Sequence, residues 1–227
     1  MMRSLLVFGV CFALLGTTAF AQEEAMPPLE EQSVEEATSL KALRQVQTYM
    51  DSVTSLKADF RQHAPNGNVA VGTLYLERPG NVRFDYTDET PFLIVSDGKT
   101  LNFVDYEIGQ VTKWPVKKTP LRALLGTSVD LAGVQSHIEL GEGMLEGLVK
   151  LHARDPDTPE QGEITLYFMP DAAQPSGLGL IGWEVLDAKG EITRVELSNQ
   201  TVNTDLDAEL WTFEDPRGVA KRRRNRR

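Results

Sequence analysis

Residues 72–111 read GTLYLERPGNVRFDYTDETPFLIVSDGKTLNFVDYEIGQV, and their pattern decides the fold. Leu74, Leu76 and Arg78 sit two residues apart, so on a strand they share one face, while Thr73 and Glu77 take the other. Pro79, Gly80 and Asn81 make a turn. Val82, Phe84 and Tyr86 then alternate with Arg83 and Asp85. The apolar run 92–95, a Ser96-Asp97-Gly98 turn and a further strand at 101–106 complete the stretch. We read four short antiparallel strands joined by hairpins. One arginine, Arg78, stands at the rim of an otherwise apolar face.

Upstream, Leu56, Ala58 and Phe60 alternate in a first strand at 55–63, and Asn66-Gly67 is a hairpin turn. From about residue 34 to 50 the spacing turns helical. Leu40, Leu43, Val46, Tyr49 and Met50 form one stripe, and Ser33 with Glu36 reads as a capping box. The polar face of this helix is not basic, which favours packing on a sheet over lying on a membrane. Residues 22–36, acidic and containing Pro27 and Pro28, read as a flexible arm. Residues 1–21 carry Arg3, an apolar run and Ala19-Phe20-Ala21, the features of a cleaved signal peptide. The apolar run is too short to span a bilayer. The single cysteine, Cys11, lies in it behind Val10, where a lipoprotein signal wants a small residue. The exported chain is thus expected to lack cysteine and to stand on its core without disulfides.

Downstream, Thr119 is placed to cap a short helix and Pro120 to open it. Leu121, Leu124 and Leu125 form its stripe, and Gly126 ends it. A second apolar fragment spans 128–134. Such short helices serve either as a movable lid or as plugs at one end of a barrel. Alternation resumes at Leu145, Gly147, Val149, Leu151 and Ala153, at Ile164, Leu166 and Phe168, at Ile181, Trp183 and Val185, and at Val195 and Leu197. Trp211 and Phe213 are expected to close the sheet. The fold class predicted is mainly β with α, an incomplete antiparallel β-barrel or curved sheet with helices on its concave side. A single domain is expected over 37–216, followed by a basic tail at 217–227.

The net charge is −10, but seven of the basic residues fall in the tail. The body left between leader and tail holds 33 acidic against 15 basic residues. That balance argues against a nucleic-acid partner and suits an exported soluble protein. His63, His137 and His152 are far apart in sequence and lack ligand-like neighbours, so no metal site is expected. Gly98-Lys99-Thr100 resembles the end of a phosphate loop, but Leu93 stands where its first glycine belongs. No nucleophile elbow occurs, and the carboxylates come without an acid–base context. From pattern alone, Leu74, Leu76, Val82 and Phe84 are either plain core or the wall of an oil-binding cavity.

The order of segments resembles the periplasmic outer-membrane lipoprotein carrier family, the LolA family. The matching pieces are Ala58-Asp59-Phe60-Arg61-Gln62, the G-x-L-x-L-x-R-P-G-x-x-R run from Gly72 to Arg83 with Phe84 and Tyr86, the run 93–101, Gln110-Val111-Thr112, the helix at 120–125 and the Trp211-x-Phe213 pair. The resemblance implies helices forming a lid over a hydrophobic cavity. Leu43, Val46, Phe60, Leu74, Leu76, Val82, Phe84, Leu93 and Val95 would wall the acyl-chain cavity. Pro120, Leu121, Leu124 and Leu125 would form the lid, and Arg78 would latch it. It further implies a monomeric periplasmic chaperone without enzymatic activity or cofactor. Its partners would be acylated outer-membrane lipoproteins, an inner-membrane ABC-type release complex and an outer-membrane lipoprotein receptor. The alternative is a periplasmic lipid- or lipoprotein-sensing regulatory module on the same scaffold.

Overall fold

The computed structural model describes residues 29–87, 90–126, 135–155, 157 and 161–217, with side chains described from residue 36 onward, Gln135 excepted. The expected signal peptide, residues 22–28 of the acidic arm, the fragment at 128–134 and the tail after Arg217 lie outside them.

Helix α1 (Leu29–Ser52) leads into β1 (Ser55–His63), β2 (Val69–Glu77), β3 (Asn81–Tyr86), β4 (Phe92–Asp97), β5 (Thr100–Asp105) and β6 (Gln110–Pro115). After the short helix α2 (Arg122–Leu125) come β7 (Gln135–Leu140), β8 (Val149–Arg154), β9 (Glu163–Pro170), β10 (Leu178–Leu186) and β11 (Ile192–Val202). All strands lie in one antiparallel 11-stranded sheet of order β6-β5-β4-β3-β2-β1-β11-β10-β9-β8-β7. The sheet is two meanders, β1–β6 and β7–β11, joined where β1 pairs with β11.

Alternation puts Leu56, Ala58 and Phe60 opposite Leu76, Leu74 and Gly72, and Leu74 and Leu76 opposite Phe84 and Val82. These side chains share the inner face. So do Leu166, Phe168 and Trp183 from the other meander, and both sets join one buried cluster. The Phe84 and Trp183 rings meet edge to face at 6.1 Å, so the sheet is curled enough for its halves to touch. Glycine permits a close approach between β2 and β3. A Cβ on Gly72 would lie 2.1 Å from the carbonyl oxygen of Asp85 and 2.9 Å from the Phe60 ring.

α1 fills the concave side with Ala42, Val46, Tyr49 and Met50, and Val53 follows just past its end. The stripe is rotated from the expected one: Ala42 is on it, Leu43 sits at its margin, and Leu40 is 46% exposed. The helix begins at Leu29, so Ser33 is inside it and does not cap it.

Three strand expectations are corrected. Leu93 and Val95 do not face the interior. Phe84 pairs with Ile94 and Val82 with Ser96, so Ile94 points in while Leu93 and Val95 point out. They form a separate outer cluster with Val104, covered by Val111 and Phe213. Trp211 and Phe213 add no strand: Trp211 ends a 3-10 turn (Ala208–Trp211). Arg83 Nη1 donates to the carbonyls of Leu210 (3.2 Å) and Thr212 (3.1 Å), clamping this segment to the convex face. Leu145 lies in another 3-10 turn (Gly143–Leu145), and the strand beyond starts at Val149.

Gly72→Ala is expected to lower stability by about 1–3 kcal/mol in urea unfolding, because backbone as well as a ring must move to admit the methyl group. Wild-type stability of that variant would show the β2–β3 crossing to be looser than described.

Candidate functional site

The site begins where β2 runs out. Arg78 continues the inward alternation of Leu74 and Leu76 one step past the strand end, and its amide donates to the carbonyl of Thr54 (2.8 Å). The side chain therefore enters the core, where it is 8% exposed. Its Nε donates to the carbonyl of Leu124 (3.1 Å), Nη1 to that of Val53, and Nη2 lies 3.3 Å from the Met50 sulfur. The guanidinium carbon is 6.0 Å from the centre of the Tyr49 ring. Burial pulls the Arg78 pKa below the usual arginine value, and the Tyr49 phenol partly opposes this. A guanidinium remains charged at neutral pH all the same.

The carbonyl that Arg78 takes from Leu124 is one a helix cannot satisfy itself. α2 is a single turn, and the last carbonyls of any helix lack internal partners. Next to it, the amide of Gly80 donates to the carbonyl of Leu125 (2.9 Å). The β2–β3 turn thus supplies two donors to the C-terminal end of α2. Leu124 and Leu125 are buried against the main cluster, while Leu121 packs on its edge. Pro120 is half-buried. Gly126 follows in an extended conformation, as a helix end requires. Thr119 does not cap α2. Its hydroxyl donates back to the carbonyl of Val116 (2.9 Å), closing the preceding 3-10 turn (Val116–Lys118).

A second tie holds the opposite flank. Arg122 Nη1 is 2.8 Å from Asp155 Oδ2, just past the end of β8. α2 is thereby fixed to the β2–β3 turn on one side and to the β8–β9 connection on the other. Sequence pattern gave no hint of this pair, because Asp155 reads as an ordinary Asp-Pro turn residue.

Val46, Phe60, Leu74, Leu76, Val82 and Phe84 converge beneath this plug, with Leu43 at the margin. Leu93 and Val95 are excluded from it by register. The histidines are not all isolated. His137 and His152 face each other across β7 and β8 with rings stacked 4.4 Å apart. His152 also approaches Glu139 (3.2 Å) and Glu163 (3.4 Å). Missing β7 in the sequence hid this neighbourhood. Among the described residues no cluster of three such groups could hold a metal ion.

A sequence model described as "Outer membrane lipoprotein carrier protein LolA" matches residues 51–214. The chain is 31% identical over 181 residues to the outer-membrane lipoprotein carrier protein of Chromohalobacter salexigens, spanning 75% of this chain and 81% of that one. Its identity to the corresponding Chromobacterium violaceum protein is 30% over 188 residues, spanning 78% and 85%. Among solved structures, a LolA superfamily protein from Nitrosomonas europaea aligns with a TM-score of 0.43 at 11% identity, over 77% of this chain and 97% of that one. The class so defined is a non-enzymatic lipoprotein-transport protein. The chain belongs to the LolA family of outer-membrane lipoprotein carriers, whose members are periplasmic.

Asp155→Asn is expected to leave the fold intact, cost less than about 1 kcal/mol, and speed amide exchange in residues 122–126 about two- to fivefold. Unchanged exchange there would mean that the Arg122–Asp155 pair does not restrain α2.

Proposed function

We propose that this protein carries acylated lipoproteins across the periplasm, from an inner-membrane ABC-type release complex to an outer-membrane receptor. The acyl chains occupy the apolar interior after α2 moves aside. Val46, Phe60, Leu74, Leu76, Val82 and Phe84 then become walls, Leu43 and Ile94 border them, and residues 120–125 act as a lid. Arg78 is the latch. The observation that carries this reading is the pair of bonds from Arg78 and Gly80 to the final carbonyls of α2. They hold a leucine-rich plug in place by its backbone, so the contact can be remade whatever cargo has passed.

Magnitudes favour such a device. A net hydrogen bond contributes about 0.5–1.5 kcal/mol, and one to a charged group about 1.5–3 kcal/mol. The latch is thus worth a few kcal/mol. An acyl chain of roughly 16 carbons resists exposure to water by about 12 kcal/mol, at about 0.8 kcal/mol per CH2. Cargo can open the latch and still be sheltered. Re-forming the latch lowers the cost of letting cargo go, and a ligand shifts a two-state equilibrium only by its difference in affinity for the states.

The test uses spheroplasts displaying newly made acylated lipoprotein, mixed with residues 22–227 of wild type or Arg78→Leu. Wild type is expected to bring lipoprotein into solution as a one-to-one complex and pass it to outer membranes. Arg78→Leu is expected to take up cargo but transfer it at least about tenfold less, since closure no longer regains the charged bonds. If neither protein solubilises acylated cargo, the carrier reading falls and a lipid-sensing module becomes the better account.

A further inference from the structure

Inside the main cluster, hydrogen-bond donors outnumber strong acceptors at one place. Tyr49 projects from the middle of α1 and is 1% exposed. Its ring stands edge-on to Phe168, with centres 5.3 Å apart, and Arg78 lies on another side. Its hydroxyl has no acceptor in hydrogen-bonding geometry: the backbone of Leu180 approaches the phenol oxygen as a donor, which leaves the hydroxyl proton without a partner. Burial pushes the phenol up to about 12, offset only in part by the Arg78 charge and the nearby backbone of Leu180. The hydroxyl is therefore neutral and keeps its proton to donate. Leaving such a donor buried and unpaired is costly. Phenylalanine would fill the same space without that cost.

Arg78 adds to the surplus. Its Nε and Nη1 reach carbonyl oxygens, but Nη2 has only the Met50 thioether, a weak acceptor. Once α2 leaves, the Leu124 carbonyl goes with it and Nε is freed as well. The lipid-facing interior of the opened protein would then present the Tyr49 hydroxyl and two guanidinium edges amid leucine, valine and phenylalanine. A ligand suited to that surface is a long apolar chain whose head offers oxygen acceptors and no donors.

We propose that Tyr49 and Arg78 form a polar anchor for the ester carbonyl oxygens of acyl chains held in the core. This inference rests on the carrier reading and assigns the chemical group recognised within that same interior. An ester carbonyl accepts hydrogen bonds without bringing charge, so little desolvation is lost on entry. A free fatty acid would bring a carboxylate into a body that holds 33 acidic residues against 15 basic ones between leader and tail. Long-range repulsion from that body disfavours the anion. The anchor also sets depth: chains fixed at the carbonyl extend into the apolar clusters, and the glyceryl and peptide parts stay toward the plug. Arg78 holds either α2 or the ligand, so occupancy and closure compete for the same donors.

The experiment compares two synthetic lipopeptides, a diacylglyceryl-cysteine peptide with ester-linked chains and its dialkyl counterpart with ether links. Both, with palmitate as a third probe, are titrated into wild-type and Tyr49→Phe protein. Wild type is expected to bind the ester form at least about five- to tenfold more tightly than the ether form, the worth of the one neutral hydrogen bond from the Tyr49 hydroxyl. Tyr49→Phe is expected to melt no lower than wild type, to bind the ether form as wild type does, and to lose most of the ester preference. Equal binding of ester and ether by wild type overturns the anchor, whether or not the variant folds. Retention of the full preference by Tyr49→Phe overturns the role of its hydroxyl. Tighter binding of palmitate than of either lipopeptide overturns the ester assignment in favour of a carboxylate. Failure of wild type to bind any of the three overturns the carrier reading itself, a result distinct from the others.

Discussion

Everything in this molecule depends on the ladder between β1 and β11. It joins the first described strand to the last, across more than 120 residues of intervening sequence, with partners such as Phe60 and Leu197. Without it there are two meanders, each with one apolar face and nothing to cover it. With it there is one sheet, and its inner faces meet across α1 and across the Phe84–Trp183 contact. Closing so long a loop is entropically costly, and the cost grows slowly with length. Burial of a shared apolar face from both meanders offsets it.

The first meander was legible because most of its strands alternate and its turns carry their own punctuation. Arg78 could be placed on the inner face from spacing alone, since period 2 leaves no choice. Other features were illegible for physical reasons. Residues 92–95 are apolar throughout, so alternation could not say which of Leu93, Ile94 and Val95 faces in. Only the pairing of Phe84 with Ile94 settles that. β7 reads QSHIEL, too polar to stand out, because it is an edge strand with one solvated side. The outward apolar residues of β4 looked like core because the covering segment, with Phe213, lies more than 110 residues away. The Tyr49 hydroxyl gave no signal, because a tyrosine in a helical stripe reads as a large apolar residue.

The site shows how much a protein can do with backbone chemistry. α2 has four residues, no side-chain cap and few bonds of its own. Its position is set by donors from elsewhere: Arg78 and Gly80 at its carbonyl end, and the Arg122–Asp155 pair at its flank. Helix ends generally need such partners. Here the partners come from other elements, so the rest of the fold sets the position of a segment too short to be stable alone. The buried charge of Arg78 fits this scheme. It is tolerated because carbonyl oxygens solvate it, one from Leu124 on α2 and one from Val53 just past α1.

The strands at the two ends of the sheet, β6 and β7, are consecutive in the chain, and the connection between them contains α2. A closed barrel has a circumference fixed by its strand number and shear, and it cannot widen without breaking a ladder. This sheet ends at β6 on one side and β7 on the other, so its calibre can change by uncurling while every strand keeps its neighbours. On the proposed carrier reading, α2 is the clasp of such a cuff as well as its lid, and the ordered interior of the fastened form sets no upper limit on what the opened one can hold.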